Sequence, residues 1–202
     1  MIDQFLYVFI PLLIIVNPSS TLTLFIILTR GSPKKVQKKT ALNATVFAAI
    51  LLIIFAFTGT VVLDFLGVSI EALRIAGGVL LGFIGLDMLR RGEQLGEKKP
   101  DKNFSPIDYA LVPLALPSLS GPGAITLTIV SMNHAEWWIV IIAIIVTMVI
   151  AYVVFRSAFM VAKILGRNGV NALTRIMGLL TVAIAIQFML TGIGDWILTL
   201  SL

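Results

Sequence analysis

The 202-residue chain contains no cysteine and few charged residues, which account for 12% of its length. The absence of cysteine excludes disulfides, thiolate metal ligands and cysteine nucleophiles. The hydrophobic fraction is 58% and the mean hydropathy is +1.04, whereas soluble domains are roughly 45–50% apolar. A soluble fold of this length would leave much of that apolar surface in contact with water. The composition therefore predicts a membrane protein.

The sequence also lacks the motifs of metal enzymes, nucleotide-driven pumps and intramembrane proteases. It has no His-Glu-x-x-His motif, no cluster of acids and no nucleotide-binding loop. Its single histidine, His134, falls in a short loop between apolar segments. From there it is too far from any mid-membrane serine to activate that serine as a base. We therefore expect no enzyme activity, no metal and no cofactor.

Six apolar segments are each close to the roughly 20 residues that a helix needs to cross a bilayer. The polar segment 91–107 divides them into two groups of three, and because three is odd, the second group must cross the membrane in the opposite sense. We predict an all-α polytopic membrane protein in which 1–202 is a single membrane domain. Within it, 1–90 and 108–202 are two inverted three-span repeats joined by 91–107 as a cytoplasmic linker. The predicted spans are about 4–29, 41–63, 72–90, 108–131, 137–156 and 176–198.

The basic residues indicate how these spans are oriented. All 15 lysines and arginines except Arg74 lie in or next to the connections after the first, third and fifth spans. By the positive-inside rule, these connections are cytoplasmic and both termini are external. We therefore expect a multi-pass protein of the cytoplasmic membrane. The net charge of +5 reflects this orientation, and no nucleic-acid partner is expected.

The two halves share short stretches of sequence. The segment RIAGGVLLGFIGLDML from Arg74 aligns without gaps with RIMGLLTVAIAIQFML from Arg175. In addition, PSSTLT from Pro18 in the first span corresponds to PSLSGPGAITLT from Pro117 in the fourth. Matching elements in halves of opposite orientation indicate an inverted repeat.

Proline-containing motifs interrupt the first and fourth spans about midway along each. A proline at this depth removes a backbone donor and clashes with the preceding turn. Because an unpaired backbone group in hydrocarbon costs several kcal/mol, such a break must face protein, water or a polar ligand. We predict that both spans are discontinuous, with Asn17 and Gly121 as N-caps and Pro18 and Pro122 at the first helical positions.

Each half-helix that begins at a break would present about +0.5 elementary charge and unpaired N–H groups, whereas the half-helix before it ends in carbonyls. A small zwitterion such as an amino acid satisfies both kinds of end. The alternative is that the prolines only kink two helices, but two breaks at matching depth favour a binding site. The polar groups around the ligand would be the hydroxyls of Ser19, Ser20, Ser118 and Ser120 and the amide of Asn17.

Four ordered motifs resemble those of the MarC family, also described as the neutral amino acid transporter family and related to the LysE-type exporters. They are NPSS, RIAGGVLLGFIGLDML, PLALPSLSGPGAI and GVNALTRIMGLLTVAIAIQFMLTGI. The resemblance implies a six-span transporter of small neutral amino acids such as glycine and alanine. Family members often have Asn-Pro-Ile-Gly where this chain has Asn-Pro-Ser-Ser, so the substrate preference can differ. The implied binding residues are Asn17, Pro18, Ser19, Ser20, Pro117, Ser118, Ser120, Gly121, Pro122 and Gly123.

Asp87 and Gln187 are further candidates for the transport pathway or for ion coupling. Asp87 would be a proton carrier if it faced the pathway, but Arg90 and Arg91 at i+3 and i+4 favour a local ion pair near the cytoplasmic end. Gln187 lies nearer the middle of span six, where it would either join helices or line the pathway.

Two packing expectations follow from the third span. Arg74 is predicted to pair with Glu71, one turn before it. Gly78, Gly82 and Gly85 form a face of small residues that is predicted to pack span three against a broken span. A homo-oligomer interface on the same face is left open.

The sequence thus predicts a secondary transporter of small neutral amino acids that works by alternating access. The alternatives are an exporter of another small solute and a passive channel. The expected partners are the amino acid and the lipid bilayer, and coupling to a proton or sodium gradient is left open.

Overall fold

The computed structural model describes residues 1–29, 31–91, 114–115 and 118–200. Within these ranges the chain forms seven α-helices and no strand, as predicted for an all-α protein. The last helix contains Gly166 with φ 61°, which interrupts its helical geometry. The helices are α1 Ile2–Val16, α2 Pro18–Thr29, α3 Lys34–Leu66, α4 Ile70–Arg91, α5 Pro122–Ser131, α6 Trp137–Arg156 and α7 Ala158–Leu200.

Five helical stretches are long and apolar enough to cross a membrane. They are Ile2–Leu22, Lys34–Leu66, Ile70–Arg90, Trp137–Arg156 and Asn168–Thr199. They correspond to five of the six predicted spans. Of the predicted fourth span, the described part includes the short apolar helix Pro122–Ser131. Most of its first half and nearly all of the predicted linker, including the basic residues Lys98, Lys99 and Lys102, lie outside the described residues.

The helix α3 is apolar on both of its faces. Its buried face consists mainly of small residues, including Ala41, Ala44, Ala48, Ala56 and Gly59. Its opposite face exposes large apolar side chains at spacings of three and four residues. Such a surface is unfavourable in water and suits contact with lipid, while the small residues allow close helix packing. The exposed row is Leu42, Val46, Ile50, Ile54, Phe57, Val61 and Phe65.

A single apolar core joins α1, α2, α3, α5, α6 and the first part of α7. Its largest members include Phe25 of α2 and Phe155 of α6, whose rings stack with centroids 5.0 Å apart. Leu12 and Leu52 are also fully buried in it. This packing holds the end of α1 and the start of α2 within the protein.

The helices α4 and α7 form the most extensive pair in the described structure. A Cβ on Gly78 would lie 2.8 Å from the carbonyl oxygen of Ala185, and one on Gly85 would lie 2.9 Å from that of Gly178. Because residue numbers fall along α7 as they rise along α4, the two helices run antiparallel. Their backbones approach so closely that no side chain fits at these positions.

The predicted partner of this small-residue face was wrong. Gly78, Gly82 and Gly85 all have α7 as their neighbour, and not one of the broken spans. The neighbouring glycine, Gly77, instead contacts Thr126 of α5. The glycines of α4 therefore contact two different helices, α7 and α5.

The contacts of α2 and α5 follow one pattern. The helix α2 packs mainly against α6 and α7, and α5 packs against α3 and α4 and also against α1. Each short helix therefore lies between two long helices of the opposite half of the chain.

Candidate functional site

The first helix break lies at Asn17, as predicted. Asn17 has φ 40° and ψ 70°, and it is the one non-glycine residue with positive φ among the described residues. Asparagine tolerates this left-handed conformation better than most residues. Its N–H donates to the carbonyl of Leu13 and so closes α1, and Pro18 opens α2. One residue thus ends one helix and begins the next.

Asn17 also caps the helix that follows it. Its Oδ1 accepts a hydrogen bond from the N–H of Ser20 at 3.4 Å, and its carbonyl accepts one from the Ser20 hydroxyl at 3.1 Å. These contacts are those of an N-cap residue and confirm the predicted cap. The hydroxyl of Ser20, which the sequence suggested for ligand binding, is therefore engaged by the backbone.

The second break ends at Gly121, which has extended geometry with φ −68° and ψ 171° and is the N-cap of α5. Pro122 occupies the first turn of that helix, as predicted. Residues 114–115 and 118–119, before the break, have π-helical geometry. The hydroxyl of Ser120 is fully buried and donates to the carbonyl of Ala115 at 2.8 Å, so it is also engaged by the backbone. Pro117, another predicted site residue, lies outside the described residues.

Gly123, one residue further on, allows three helices to meet. A Cβ at this position would lie 2.9 Å from Cγ of Leu81 in α4 and 3.3 Å from Cγ2 of Ile15 in α1. The resemblance to the MarC family implied that Gly123 is a binding residue. The structure shows in addition that it lets α1, α4 and α5 converge.

A cavity of about 450 Å³ lies between the two breaks, within the roughly 300–1,000 Å³ typical of small-molecule sites. It is lined by residues from both breaks, by residues of α4 and by Thr174 of α7. Of the predicted site residues, Pro18, Ser19 and Gln187 are not part of its wall, nor is Ser120. The predicted residues in the wall are Asn17, Ser20, Ser118, Gly121, Pro122, Gly123 and Asp87.

Two buried polar atoms in this wall have no hydrogen-bond partner among the described residues. They are Nδ2 of Asn17 and Oγ1 of Thr174, and both residues line the cavity. A buried donor or acceptor left unpaired costs about 1–3 kcal/mol. Unpaired polar atoms in the wall of a cavity are suited to a polar ligand.

The charge distribution around the cavity is mixed. The helix α2 begins directly after Asn17 and α5 begins at Pro122, and both of these residues line the cavity. Each helix start contributes partial positive charge. Asp87 of α4 adds a carboxylate to the wall. The cavity therefore offers both an anion-favouring and a cation-favouring side.

Thr174 was missed by the sequence analysis. It lies on α7 directly before the repeated RIMG segment, and it is 1% exposed. The residue at the corresponding place in the first half is Leu73, so comparison of the two halves carried no signal for a polar group. Only the fold brings Thr174 to the two breaks.

Gln187 does not lie at the cavity. Its side chain is exposed on α7, where Nε2 donates to Oγ1 of Thr191 at 3.1 Å. The structure thus brings Asp87 to the site and leaves Gln187 away from it.

A second polar cluster surrounds Arg74 of α4. Its Nη1 lies 2.6 Å from Oδ2 of Asp195 on α7, and its other terminal nitrogen donates to Nε2 of His134 in the loop after α5. Arg74 is 3% exposed. The predicted local pair with Glu71 was therefore wrong, because the guanidinium turns inward to a partner 121 residues away. We call these three residues the Arg74 cluster.

Partial burial lowers the pKa of His134, and the charge of Arg74 lowers it further, while Asp195 opposes both effects. The imidazole is therefore neutral near pH 7 and can accept a hydrogen bond from Arg74. Within the described residues, Nε of Arg74 and Oγ of Ser131 remain without partners.

Long apolar helices that enclose a polar cavity at two helix breaks define an integral membrane protein with an internal polar site. Residues 2–197 match the family model described as MarC family integral membrane protein. The chain therefore belongs to the MarC family, as its motifs predicted.

Its relatives are similar over almost their whole length. The chain is 37% identical over 198 residues to a UPF0056 membrane protein of Methanocaldococcus jannaschii, covering 95% of this chain and 97% of that protein. It is 37% identical over 196 residues to the UPF0056 membrane protein YhcE of Escherichia coli, with 92% and 89% covered. For a UPF0056 membrane protein of Aquifex aeolicus, the identity is 34% over 199 residues, with 95% and 92% covered. No solved structure matches the chain.

Proposed function

We propose that this protein is a secondary transporter that moves a small neutral amino acid, of the size of glycine or alanine, across the cytoplasmic membrane. The observation that carries the proposal is the cavity at the two helix breaks, where Nδ2 of Asn17 and Oγ1 of Thr174 are buried without partners among the described residues. A ligand that supplies those partners recovers the free energy that their burial costs.

The chemistry of the cavity fits a zwitterion. The starts of α2 and α5 attract a carboxylate through their partial positive charge. The carboxylate of Asp87 and the hydroxyls of the wall favour an ammonium group. Leu81 and Ile84 fill the rest of the wall with apolar surface, which suits a hydrogen or a methyl group better than a charged side chain.

The packing of the helices supports two inverted repeats of three spans. In such a repeat α2 would correspond to α5, α3 to α6 and α4 to α7. The contacts of α2 with α6 and α7 would then match those of α5 with α3 and α4, as they do. The antiparallel packing of α4 on α7 is also what an axis in the membrane plane would produce. We propose that α5 and the segment before it make the fourth of six spans.

Transport would proceed by rocking of one repeat against the other around the cavity. The basic connections would face the cytoplasm and both termini the exterior. Asp87 is the residue that we propose for coupling to a proton or sodium gradient, because it is the acidic residue of the cavity wall.

The experiment is uptake of radiolabelled glycine and alanine into proteoliposomes that contain the purified protein. We expect uptake that saturates with substrate concentration and is accelerated when the vesicles are preloaded with the same unlabelled amino acid. Uptake that never saturates and shows no such acceleration would indicate a passive channel. No uptake of either amino acid by folded protein would reject the proposed substrate, and a panel of other small solutes would then test for an exporter of a different compound.

A further inference from the structure

A second cavity, separate from the helix breaks, lies between the start of α3 and the junction of α6 with α7. It has a volume of about 840 Å³. Four cationic side chains line it and no acidic one does among the described residues: Lys34, Lys35, Lys38 and Arg156. We call it the basic pocket, and we propose that it binds the phosphate headgroup of an anionic phospholipid.

The backbone adds to the positive charge of the basic pocket. The helix α3 is 33 residues long and begins at Lys34 after Pro33, with no side chain capping its N-terminus. Its first turn therefore presents free N–H groups and the positive end of the helix dipole beside the lysines. A phosphate suits this combination of helix start and cationic side chains.

The depth of the pocket matches that of lipid headgroups. The apolar part of α3 is predicted to begin near residue 41, so its first seven residues rise about 10 Å beyond the hydrocarbon. The headgroup layer on each side of a bilayer is about 5–8 Å thick. Lys38 therefore lies within this layer, and the long side chains of Lys34 and Lys35, which lie just beyond it, can extend back to the phosphates, on the side that the basic connections assign to the cytoplasm.

The apolar part of the pocket distinguishes a lipid from free phosphate. Phe155 is buried at its floor, while Val153, Phe159 and Met160 are 55%, 44% and 66% exposed. A soluble anion gains nothing from this surface, whereas the acyl chain of a lipid packs against it. The positive charge and the apolar surface of the pocket therefore both favour an anionic phospholipid.

The basic pocket also joins the two halves of the chain. Its lysines belong to 1–90, and Arg156 with its apolar neighbours belongs to 108–202. A bound lipid would bridge both halves and stabilise the folded protein, since a ligand that binds only the folded state raises its melting temperature. This inference is independent of the transported substrate.

The test is thermal unfolding of the full-length protein in neutral detergent, with phosphatidylglycerol, phosphatidylcholine or inorganic phosphate added. The test variant combines Lys34→Gln, Lys35→Gln and Lys38→Gln. The control variant combines Lys39→Gln, Lys163→Gln and Arg175→Gln, which removes the same charge from exposed residues outside the pocket. We expect phosphatidylglycerol alone to raise the melting temperature of wild type and control, and the test variant to need roughly tenfold more of it.

Three results would overturn the proposal. Equal stabilisation by phosphatidylcholine would show that charge is not recognised, and equal stabilisation by inorganic phosphate would show that the site takes a free anion. If the control variant lost as much of the stabilisation by phosphatidylglycerol as the test variant, the effect would be a general attraction of a basic protein for anionic lipid. If the triple variant fails to fold, Arg156→Gln alone serves as a second variant from the opposite wall, and it must weaken the lipid effect as well.

Discussion

The cavity at the helix breaks and the Arg74 cluster both bury polar groups within an apolar protein, but they differ in how those groups are paired. In the cavity, Nδ2 of Asn17 and Oγ1 of Thr174 have no partner among the described residues. In the Arg74 cluster, the guanidinium meets a carboxylate from another helix and an imidazole from a loop.

The difference follows from what each group costs when it is buried alone. An unpaired neutral amide or hydroxyl costs about 1–3 kcal/mol, which a folded protein can tolerate at a site that a ligand fills. An unpaired charge costs several kcal/mol more, so the protein itself must supply its partner. Changes in the Arg74 cluster should therefore act on stability, and changes to cavity groups should act on ligand binding.

The largest expected effect is on stability. Asp195→Asn removes the negative charge and leaves Arg74 buried without it. Because Asp195 is itself partly exposed, with its side chain 42% accessible, we expect a loss of about 2–3 kcal/mol, which is below the roughly 3–5 kcal/mol for fully buried pairs. Denaturant unfolding in detergent measures the change. Arg74→Leu combined with Asp195→Leu should recover part of the loss, and an Asp195→Asn variant as stable as wild type would contradict this account of the cluster.

Gly123→Val should affect stability and binding together, because this residue belongs both to the cavity and to the convergence of three helices. The added side chain overlaps Leu81 and crowds Ile15, and overpacking of this kind costs about 1–3 kcal/mol. We expect a lower melting temperature and no measurable substrate binding. Gly194→Val is the control, since a Cβ there meets nothing within 4 Å. Normal binding by Gly123→Val would remove the proposed site.

Replacements of Asn17 separate the helix break from the ligand contact. Asn17→Ala loses the cap of α2 and must hold an alanine in the left-handed region, so we expect it to lose about 1–2 kcal/mol of stability. Asn17→Gly accepts that conformation and should be more stable than the alanine variant. Both variants lack Nδ2 and should bind substrate more weakly. Unfolding and binding measured on the same preparations test both statements, and full affinity in the glycine variant would exclude the amide as a ligand contact.

Thr174→Val is expected to act on binding alone. Its Oγ1 makes no hydrogen bond within the described residues, so its removal should leave stability unchanged or slightly higher. Loss of one hydrogen bond of about 0.5–1.5 kcal/mol should weaken substrate binding roughly two- to tenfold. Thr147→Val is the matched control, because Thr147 is similarly buried and also lacks a partner in the described part of the chain, but is not part of the cavity wall. Equal weakening in both variants would mean that the cavity is not where the ligand binds.

The smallest effect concerns the pH dependence of the Arg74 cluster. The pKa of His134 is lowered in the folded protein from 6.5, so the unfolded chain binds a proton at a pH where the folded protein does not. The contribution of neutral His134 to the free energy of unfolding is therefore complete above about pH 6.5 and decreases as the pH falls below that value. His134→Gln should flatten this part of the stability profile between pH 7.5 and pH 5.5. An identical profile in the variant would show that His134 does not carry the effect.

Features set by neighbouring residues were predictable from the sequence. The break at Asn17 and the start of α5 at Pro122 depend on proline and on capping within three residues, and both lie where the sequence placed them. The composition and the length of the apolar segments likewise predicted an all-α membrane protein. Helix breaks and caps depend on residues that are adjacent in the chain, so a single sequence is enough to predict them.

Two kinds of feature were not predictable from the sequence: contacts between distant segments, and the choice of which hydroxyl groups stay free. Arg74 forms its ion pair with Asp195 on another helix and not with Glu71, its neighbour on α4. The hydroxyls of Ser20 and Ser120, which looked available, are bonded to nearby carbonyls, whereas Thr174 enters the cavity from a distant helix. A threonine or serine can always bond to its own backbone, and only the fold decides which hydroxyl is left for a ligand.

The most direct measurement is equilibrium binding of glycine and alanine to the purified protein, with Thr174→Val, Thr147→Val and Asp195→Asn measured in parallel. We predict one saturable site per chain in wild type, weaker binding in Thr174→Val, and unchanged affinity in the other two variants at temperatures where they remain folded. Absence of saturable binding by folded wild type, or an affinity that Thr174→Val leaves unchanged, would contradict the assignment of this cavity to a small amino acid.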